Sequence, residues 1–127
     1  MKYILDTSIL IDYLRRGKAG KQIFDALEEE KAYLFIPTVV IYELFSGKSS
    51  KTSSVKEEIN LLIGNFKKVD LTEKIAKAAG ELYRDTGKTF SAQDYIIAAS
   101  ALEIEATVVT LNTKHFSQIP NLKLFAF

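Results

Sequence analysis

The sequence contains no cysteine and only one histidine, His115. Without cysteine the chain has neither disulfides nor thiolate metal ligands, and one histidine cannot supply a histidine-rich zinc site. A reducing compartment is compatible with this composition. Asp6 and Asp12 interrupt any signal-peptide core near the N-terminus, and no apolar run approaches the length of a membrane span. These absences make a cytoplasmic location the expectation.

The chain also lacks a strong net charge. It has 17 Lys and Arg residues against 16 Asp and Glu residues, which gives a formal net charge of +1. Overall charge therefore does not indicate a nucleic-acid binder. Its distribution can still matter, because acids gathered in one pocket would leave the remaining surface basic. Lys48 and Lys114 are candidates for contacting a polyanion, and the alternative for each is ordinary solubilising charge.

The hydrophobic pattern predicts a single domain over residues 1–127. The composition is 47% hydrophobic and 26% charged, which is typical of a globular protein. Stretches with helical periodicity separate short apolar runs, and this alternation predicts a three-layer α/β/α domain with a mostly parallel central sheet. The predicted strands are residues 3–5, 33–36, 66–71 and 107–110, with 122–124 as an edge strand. Residues 47–54 are predicted as a loop.

The first predicted strand ends abruptly on Asp6, Thr7 and Ser8. A carboxylate at the carboxyl end of a buried strand lies where open α/β sheets bind ligands. The alternative is that Asp6, Thr7 or Ser8 caps the following helix by accepting its free N–H groups.

Two further acids lie close to apolar helix faces. Glu43 borders the apolar stripe of a helix that opens at Thr38, and its alternative is a solvated glutamate at the edge of that stripe. Asp94 stands three residues after Ser91, which is capping-box spacing, yet it shares a face with Ala98. A charge at the margin of the core is costly unless it is paired or bound to metal.

Asn112 and His115 follow the strand at 107–110, so they should emerge at the same sheet edge as Asp6. The alternative for His115 is a surface residue in a short turn. In a right-handed α/β layer Asp6, Glu43 and Asp94 can all reach this edge. Carboxylate, amide and hydroxyl ligands suit Mg²⁺ or Mn²⁺ with several retained waters.

Four blocks of sequence resemble PIN-domain ribonucleases, and in particular the VapC-type toxins of toxin–antitoxin pairs. They are ILDTSILI at 4–11, IPTVVIYEL at 36–44, SAQDYIIAA at 91–99 and VTLNTKHF at 109–116. The blocks occur in the family's order and at compatible spacing, so the resemblance covers essentially the whole chain.

The resemblance implies a metal-dependent endoribonuclease in which Asp6, Glu43 and Asp94 gather one or two divalent ions. It also implies homodimers and inhibition by a small antitoxin protein. Ser8 falls at a small polar position that supports the site, and Thr110 and Asn112 fall on the closing polar motif. The family often has a fourth acid in this last block, where this chain has Asn112 and His115.

The mechanism implied is hydrolysis of single-stranded RNA by a metal-bound water. Asp6 and Asp94 would hold the metal, with Glu43 binding directly or through water and helping to orient or deprotonate the nucleophile. Lys114, His115 or a residue near Lys48 would hold flanking phosphates.

Three alternatives stay open at this point. The domain could be a non-cleaving module that binds RNA or an antitoxin, since it has one acid fewer than is common. It could be a housekeeping RNA-processing nuclease. A phosphatase of another α/β family is disfavoured, because Ser8 stands where such enzymes carry a second aspartate.

Overall fold

The structure, a computed structural model, describes residues 1–87 and 90–126. Within these ranges the strands are β1 (Lys2–Leu5), β2 (Tyr33–Pro37), β3 (Lys67–Val69) and β4 (Thr107–Val109). The helices are α1 (Thr7–Leu14), α2 (Lys18–Glu29), α3 (Thr38–Ser46), α4 (Ser53–Ile63), α5 (Glu73–Asp85), α6 (Ala92–Ile104) and α7 (Thr113–Phe116). The predicted alternation of strands and helices is confirmed.

The four strands form one parallel sheet in the order β3-β2-β1-β4. Ile4 of β1, Ile36 of β2 and Val108 of β4 are fully buried, as expected for strands covered by helices on both faces. The order reverses between β1 and β4, and ligands bind open α/β sheets where such a reversal leaves a crevice at the carboxyl ends. The predicted three-layer α/β/α fold is therefore confirmed, and its sheet is wholly parallel.

The junction between α1 and α2 is unusually close. The backbone N–H of Gly20 donates to Asp12 Oδ2 over 2.6 Å. Asp12 thereby supplies a cap that Gly17, at the N-cap of α2, cannot provide because it has no side chain. A Cβ atom on Gly17 would collide with the Asp12 carboxylate. Glycine at this position thus lets α2 fold back onto α1.

Three local predictions need correction. The expected edge strand at 122–124 is wrong, because this segment makes only an isolated bridge between Leu124 and Val108. The expected loop at 47–54 contains a 3-10 helix, Lys48–Lys51, in which the buried Ser50 hydroxyl bonds the Phe45 carbonyl over 2.8 Å. The strand expected at 66–71 is shorter and spans Lys67–Val69.

Long apolar helices do not occur in the described part of the chain. None of its helices combines the length and the hydropathy needed to cross a membrane.

Candidate active site

Asp6 lies at the carboxyl end of β1 and is only 3% exposed. Leu5 is in register with Val109 of β4, and the Asp6 backbone N–H donates to the Val109 carbonyl over 3.0 Å. This pairing makes Asp6 and Thr110 leave the sheet side by side. The Thr110 hydroxyl donates to Asp6 Oδ2 over 2.7 Å, and the Ser8 hydroxyl donates to the same oxygen over 2.8 Å.

The capping alternative for Asp6 is wrong. Asp6 occupies the N-cap position of α1, but its side chain makes no capping hydrogen bond. Thr7 and Ser8 lie inside the first turn of α1, and their hydroxyls bond acidic side chains. The polar residues after β1 therefore serve the carboxylates and leave the helix terminus uncapped by side chains.

The hydroxyls that hold Asp6 are themselves fixed by the backbone after β4. The N–H of Leu111 donates to Ser8 Oγ over 3.0 Å, and the N–H of Asn112 donates to Thr110 Oγ1 over 2.9 Å. Each hydroxyl accepts from the main chain while donating to the carboxylate. The predicted supporting role of Ser8 and Thr110 thus has a physical counterpart in this network.

Glu43 projects from α3 and bonds a residue that sequence reasoning missed. The Thr7 hydroxyl donates to Glu43 Oε1 over 2.7 Å, and Thr7 is buried. A threonine directly after a strand-terminal acid reads as a helix cap. Nothing local to Thr7 indicates a partner 36 residues away. Glu43 is half-buried, which overturns the alternative of a freely solvated residue at the stripe's edge.

Asp94 lies in the first turn of α6, where its backbone and its side chain have different neighbours. Ser91 is the N-cap of α6, and its hydroxyl accepts from the Asp94 backbone N–H over 3.3 Å. The Asp94 carboxylate, also half-buried, lies close enough to Asp6 for the two charges to interact. The backbone of Asp94 therefore begins the helix while its side chain lies beside Asp6.

The electrostatics of Glu43 and Asp94 are those of a crowded anionic site. Burial raises the pKa of Glu43; the hydrogen bond from Thr7 lowers it, and the charges of Asp6 and Asp94 raise it further. Burial and then the charge of Asp6 raise the pKa of Asp94, against smaller lowering effects from Ser91 and His115. We use the name acidic cluster for Asp6, Glu43 and Asp94, which lie near enough for their charges to act on one another.

His115 also reaches this cluster, whereas Asn112 contributes differently. His115 Nδ1 lies 3.8 Å from Asp94 Oδ2. Asn112 is exposed at the N-cap of α7, and it contacts the site through its backbone N–H, which donates to the Thr110 hydroxyl. Of the two candidates for the place of a fourth acid, the imidazole is the side chain beside the Asp94 carboxylate.

Lys48 and Lys114 are both exposed. Lys48 begins the 3-10 helix after α3, and Lys114 lies in α7, one residue before His115. Among the described contacts, none joins either ammonium group to the acidic cluster.

Comparison with known proteins identifies the family. A model of the PIN domain matches residues 3–122. The chain belongs to the PIN-domain family. The PIN resemblance of the four sequence blocks is thereby confirmed.

Individual relatives match along nearly their whole length. Ribonuclease VapC2 of Rickettsia felis is 30% identical over 131 residues, covering 98% of this chain and 96% of the relative. A structure of VapBC2 from Rickettsia felis, bound to a DNA fragment from their promoter, has a TM-score of 0.84 at 26% identity and covers 100% of this chain and 99% of the other. A toxin–antitoxin complex from Klebsiella pneumoniae has a TM-score of 0.78 at 25% identity and covers 94% of each chain.

The side chains at the carboxyl edge of the sheet fit a hard divalent cation by their chemistry. Carboxylate oxygens are the preferred ligands of Mg²⁺, which keeps several waters and needs only one or two carboxylates. Over residues 1–87 and 90–126, no three acidic or histidine side chains form a ready-made metal cluster. A cation bound by two carboxylates and by water agrees with the ligand preference of Mg²⁺ and does not require a third acidic or histidine ligand.

The raised pKa values predict how neutralising Glu43 affects stability. A carboxyl with a folded pKa above its unfolded value favours folding at acidic pH, and this contribution is lost as pH rises through the folded pKa. At neutral pH without metal, the ionised form therefore costs stability. Glu43→Gln, which can still accept from Thr7, should raise Tm by a few degrees in EDTA near neutral pH.

Thermal denaturation across pH tests this prediction. The gain should shrink as pH falls from the raised pKa of Glu43 toward 4.5, the ordinary pKa of a glutamate carboxyl, and should be absent below it. Glu57→Gln, which removes an exposed carboxylate on α4, is the matched control and should change Tm little. A Glu43→Gln protein that is less stable than wild type near neutral pH would contradict the sign of the effect.

Proposed function

We propose that this PIN-domain protein is the toxin of a toxin–antitoxin pair and acts in the cytoplasm as an endoribonuclease. Its reaction is the hydrolysis of RNA phosphodiester bonds with Mg²⁺ or Mn²⁺. Relatives named ribonuclease and neighbours described as toxin–antitoxin complexes support this proposal. It rests above all on the meeting of Asp6, Glu43 and Asp94 from three separate elements at one sheet edge.

The proposed mechanism assigns a task to each acid. Asp6 and Asp94 hold the cation, which when bound lowers the pKa of a coordinated water and offsets charge on the scissile phosphate. Glu43 orients the attacking water and accepts its proton. The water oxygen bonds to phosphorus as the bond to the leaving ribose oxygen breaks, and that oxygen takes up a proton.

The hydroxyl groups set the geometry for these tasks. Ser8 and Thr110 both bond Oδ2 of Asp6, so the other oxygen of this carboxylate is the one available to a cation. Thr7 bonds Oε1 of Glu43 and thereby fixes the direction of its second oxygen. We assign Lys48 and Lys114, both exposed, to phosphates that flank the scissile bond. Such point charges suit backbone contacts that carry no sequence information.

Cleavage of RNA by neutralised variants tests this function. Asp6→Asn and Asp94→Asn should abolish detectable divalent-dependent cleavage, because each removes a ligand charge while keeping the shape of the side chain. Glu43→Gln should lower the single-turnover rate constant by about 100- to 10,000-fold, the usual contribution of a general base. The measurement is single-turnover cleavage of labelled single-stranded RNA in Mg²⁺ or Mn²⁺.

Glu57→Gln is again the control and should cleave like wild type. Circular dichroism of each variant separates loss of chemistry from loss of fold. Retained cleavage in both Asp6→Asn and Asp94→Asn would overturn the assignment of the site. Calorimetric titration showing no metal binding to wild type, together with no cleavage, would favour the non-cleaving module instead.

We assign the antitoxin to a groove between α1, α2 and α4. This groove has a volume of about 890 Å³ and an apolar floor that includes Phe24 and Phe66. Leu61 on its wall is 76% exposed, and Tyr13 is exposed beside it. Charges of both signs surround the floor, among them Lys21, Asp25 and Glu58. A mixed rim around an apolar floor is the usual anatomy of a surface that binds another protein.

We assign a second copy of the chain to a hollow between α5 and α6. Its volume is about 520 Å³, and none of its eight lining residues carries a charge. Leu71 and Ile96 lie on its wall. A two-fold dimer brings one patch against itself, so an uncharged patch meets its copy without repulsion. This hollow suits the homodimer that the family resemblance implies.

Two charge insertions separate these surfaces. Leu61→Glu should remove antitoxin binding and leave the dimer intact, because burying the new carboxylate in the groove is costly. Gly80→Glu should give a monomer that still binds the antitoxin. A Cβ atom on Gly80 meets no atom within 4 Å, so a side chain can begin here without a collision at its first carbon.

Light scattering of each variant, alone and mixed with the antitoxin encoded by a neighbouring reading frame, gives both answers. Each variant is the matched control for the other. If Leu61→Glu binds the antitoxin as wild type does, the groove is not the antitoxin site. If Gly80→Glu stays dimeric, the hollow is not the dimer interface.

A further inference from the structure

The aromatic rings of Phe90 and His115 pack together beside the acidic cluster. Their centroids are 4.9 Å apart and their planes are inclined by 33°. Phe90 in turn packs on Tyr95, at 5.7 Å and 42°, and Tyr95 is buried in α6. The imidazole of His115 is therefore the outermost ring of a stack that is anchored in the core.

The position of His115 is set by this stack more than by Asp94. Nδ1 lies 3.8 Å from Asp94 Oδ2, which is too long for a hydrogen bond. The His115 side chain is also 51% exposed. The ring thus combines firm support from Phe90, open access to solvent and immediate proximity to a proposed metal ligand.

We infer that His115, supported by Phe90, is a stacking subsite for one nucleobase next to the scissile phosphate. The inference rests on the proposed function, since it needs an RNA strand at the acidic cluster. Stacking on an aromatic face accepts any base and requires that the base be unpaired. The substrate class is therefore single-stranded RNA, or a loop, with one base turned toward α7.

A base fits this place better than a phosphate does. Asp94 Oδ2 lies 3.8 Å from His115 Nδ1, and the charge of Asp6 acts on Asp94 in turn. This negative charge repels any phosphate that is not neutralised by a cation. A nucleobase is uncharged and brings a flat apolar face. The rigid backing of Phe90 also lowers the entropy cost of holding the His115 ring against a base.

The test compares His115→Ala, which removes the ring, with His115→Phe, which keeps an aromatic ring and removes the nitrogen atoms. The probe is a short fluorescein-labelled single-stranded RNA, and its affinity is measured by anisotropy in Ca²⁺, which neutralises the phosphate without the strict octahedral geometry of Mg²⁺. His115→Ala should weaken binding by about 5-fold or more, the lower range for loss of one stacked base. His115→Phe should bind within about 2-fold of wild type, because stacking is tolerant of ring type.

A series of RNAs, each lacking one base, locates the contact. At a single position, removal of the base should weaken wild-type binding as much as His115→Ala does, and the two changes together should cost no more than either alone. Gln118→Ala, on the turn after α7, is the control and should bind as wild type does, because it removes only a side-chain amide that donates to the Lys114 carbonyl.

Two results would overturn the inference. In the first, His115→Phe binds as weakly as His115→Ala, the loss of affinity shrinks in high salt, and it is the same for every abasic RNA. His115 would then contact a phosphate. If both variants bind as wild type does, the ring pair only packs the protein. Because binding is measured by anisotropy in Ca²⁺, a failure of cleavage in Mg²⁺ is recorded separately and bears on the proposed function alone.

Discussion

The carboxylate of Asp6 is nearly inaccessible to water, so its charge depends on hydrogen bonds that the protein supplies. Two of these come from hydroxyls on different parts of the chain, Ser8 in α1 and Thr110 after β4. The parallel register of β1 and β4 brings them together, since Leu5 faces Val109. The sheet thus determines the site directly, and a register shift of one residue would turn Thr110 away from Asp6.

The two carboxylates near Asp6 are electrostatically unfavourable in their ionised form. Glu43 and Asp94 come from α3 and α6, and both have raised pKa values because they are partly buried beside other acids. If these acids served a structural ion pair, a lysine or arginine side chain would lie beside them. The described part of the chain instead surrounds the acids with hydroxyls, one imidazole and backbone groups. Such an arrangement favours an external cation as the balancing charge, and perturbed carboxyls in a crevice are typical of functional sites.

Much of this could be predicted from the sequence, because strand ends and helix starts leave local patterns. The apolar run that ends on Asp6 correctly predicted strand β1, and the spacing from Ser91 to Asp94 correctly predicted the start of helix α6. The handedness of α/β layers then predicted that the acids on these elements would meet at one sheet edge. The role of Thr7 could not be predicted, since its partner Glu43 is distant in sequence and a polar residue at a helix start suggests capping. The choice of His115 over Asn112 also required the structure, because it depends on how the short helix α7 turns after β4.

The central claim is that Asp6 and Asp94 share one divalent cation at the carboxyl edge of the sheet. Anomalous diffraction from crystals grown with Mn²⁺ tests it most directly, because it locates the ion without relying on activity. The account predicts one strong peak bound by the carboxylates of Asp6 and Asp94, which is lost in Asp6→Asn. Saturating Mn²⁺ that gives no peak between these two side chains, or a peak that persists in Asp6→Asn, would contradict it.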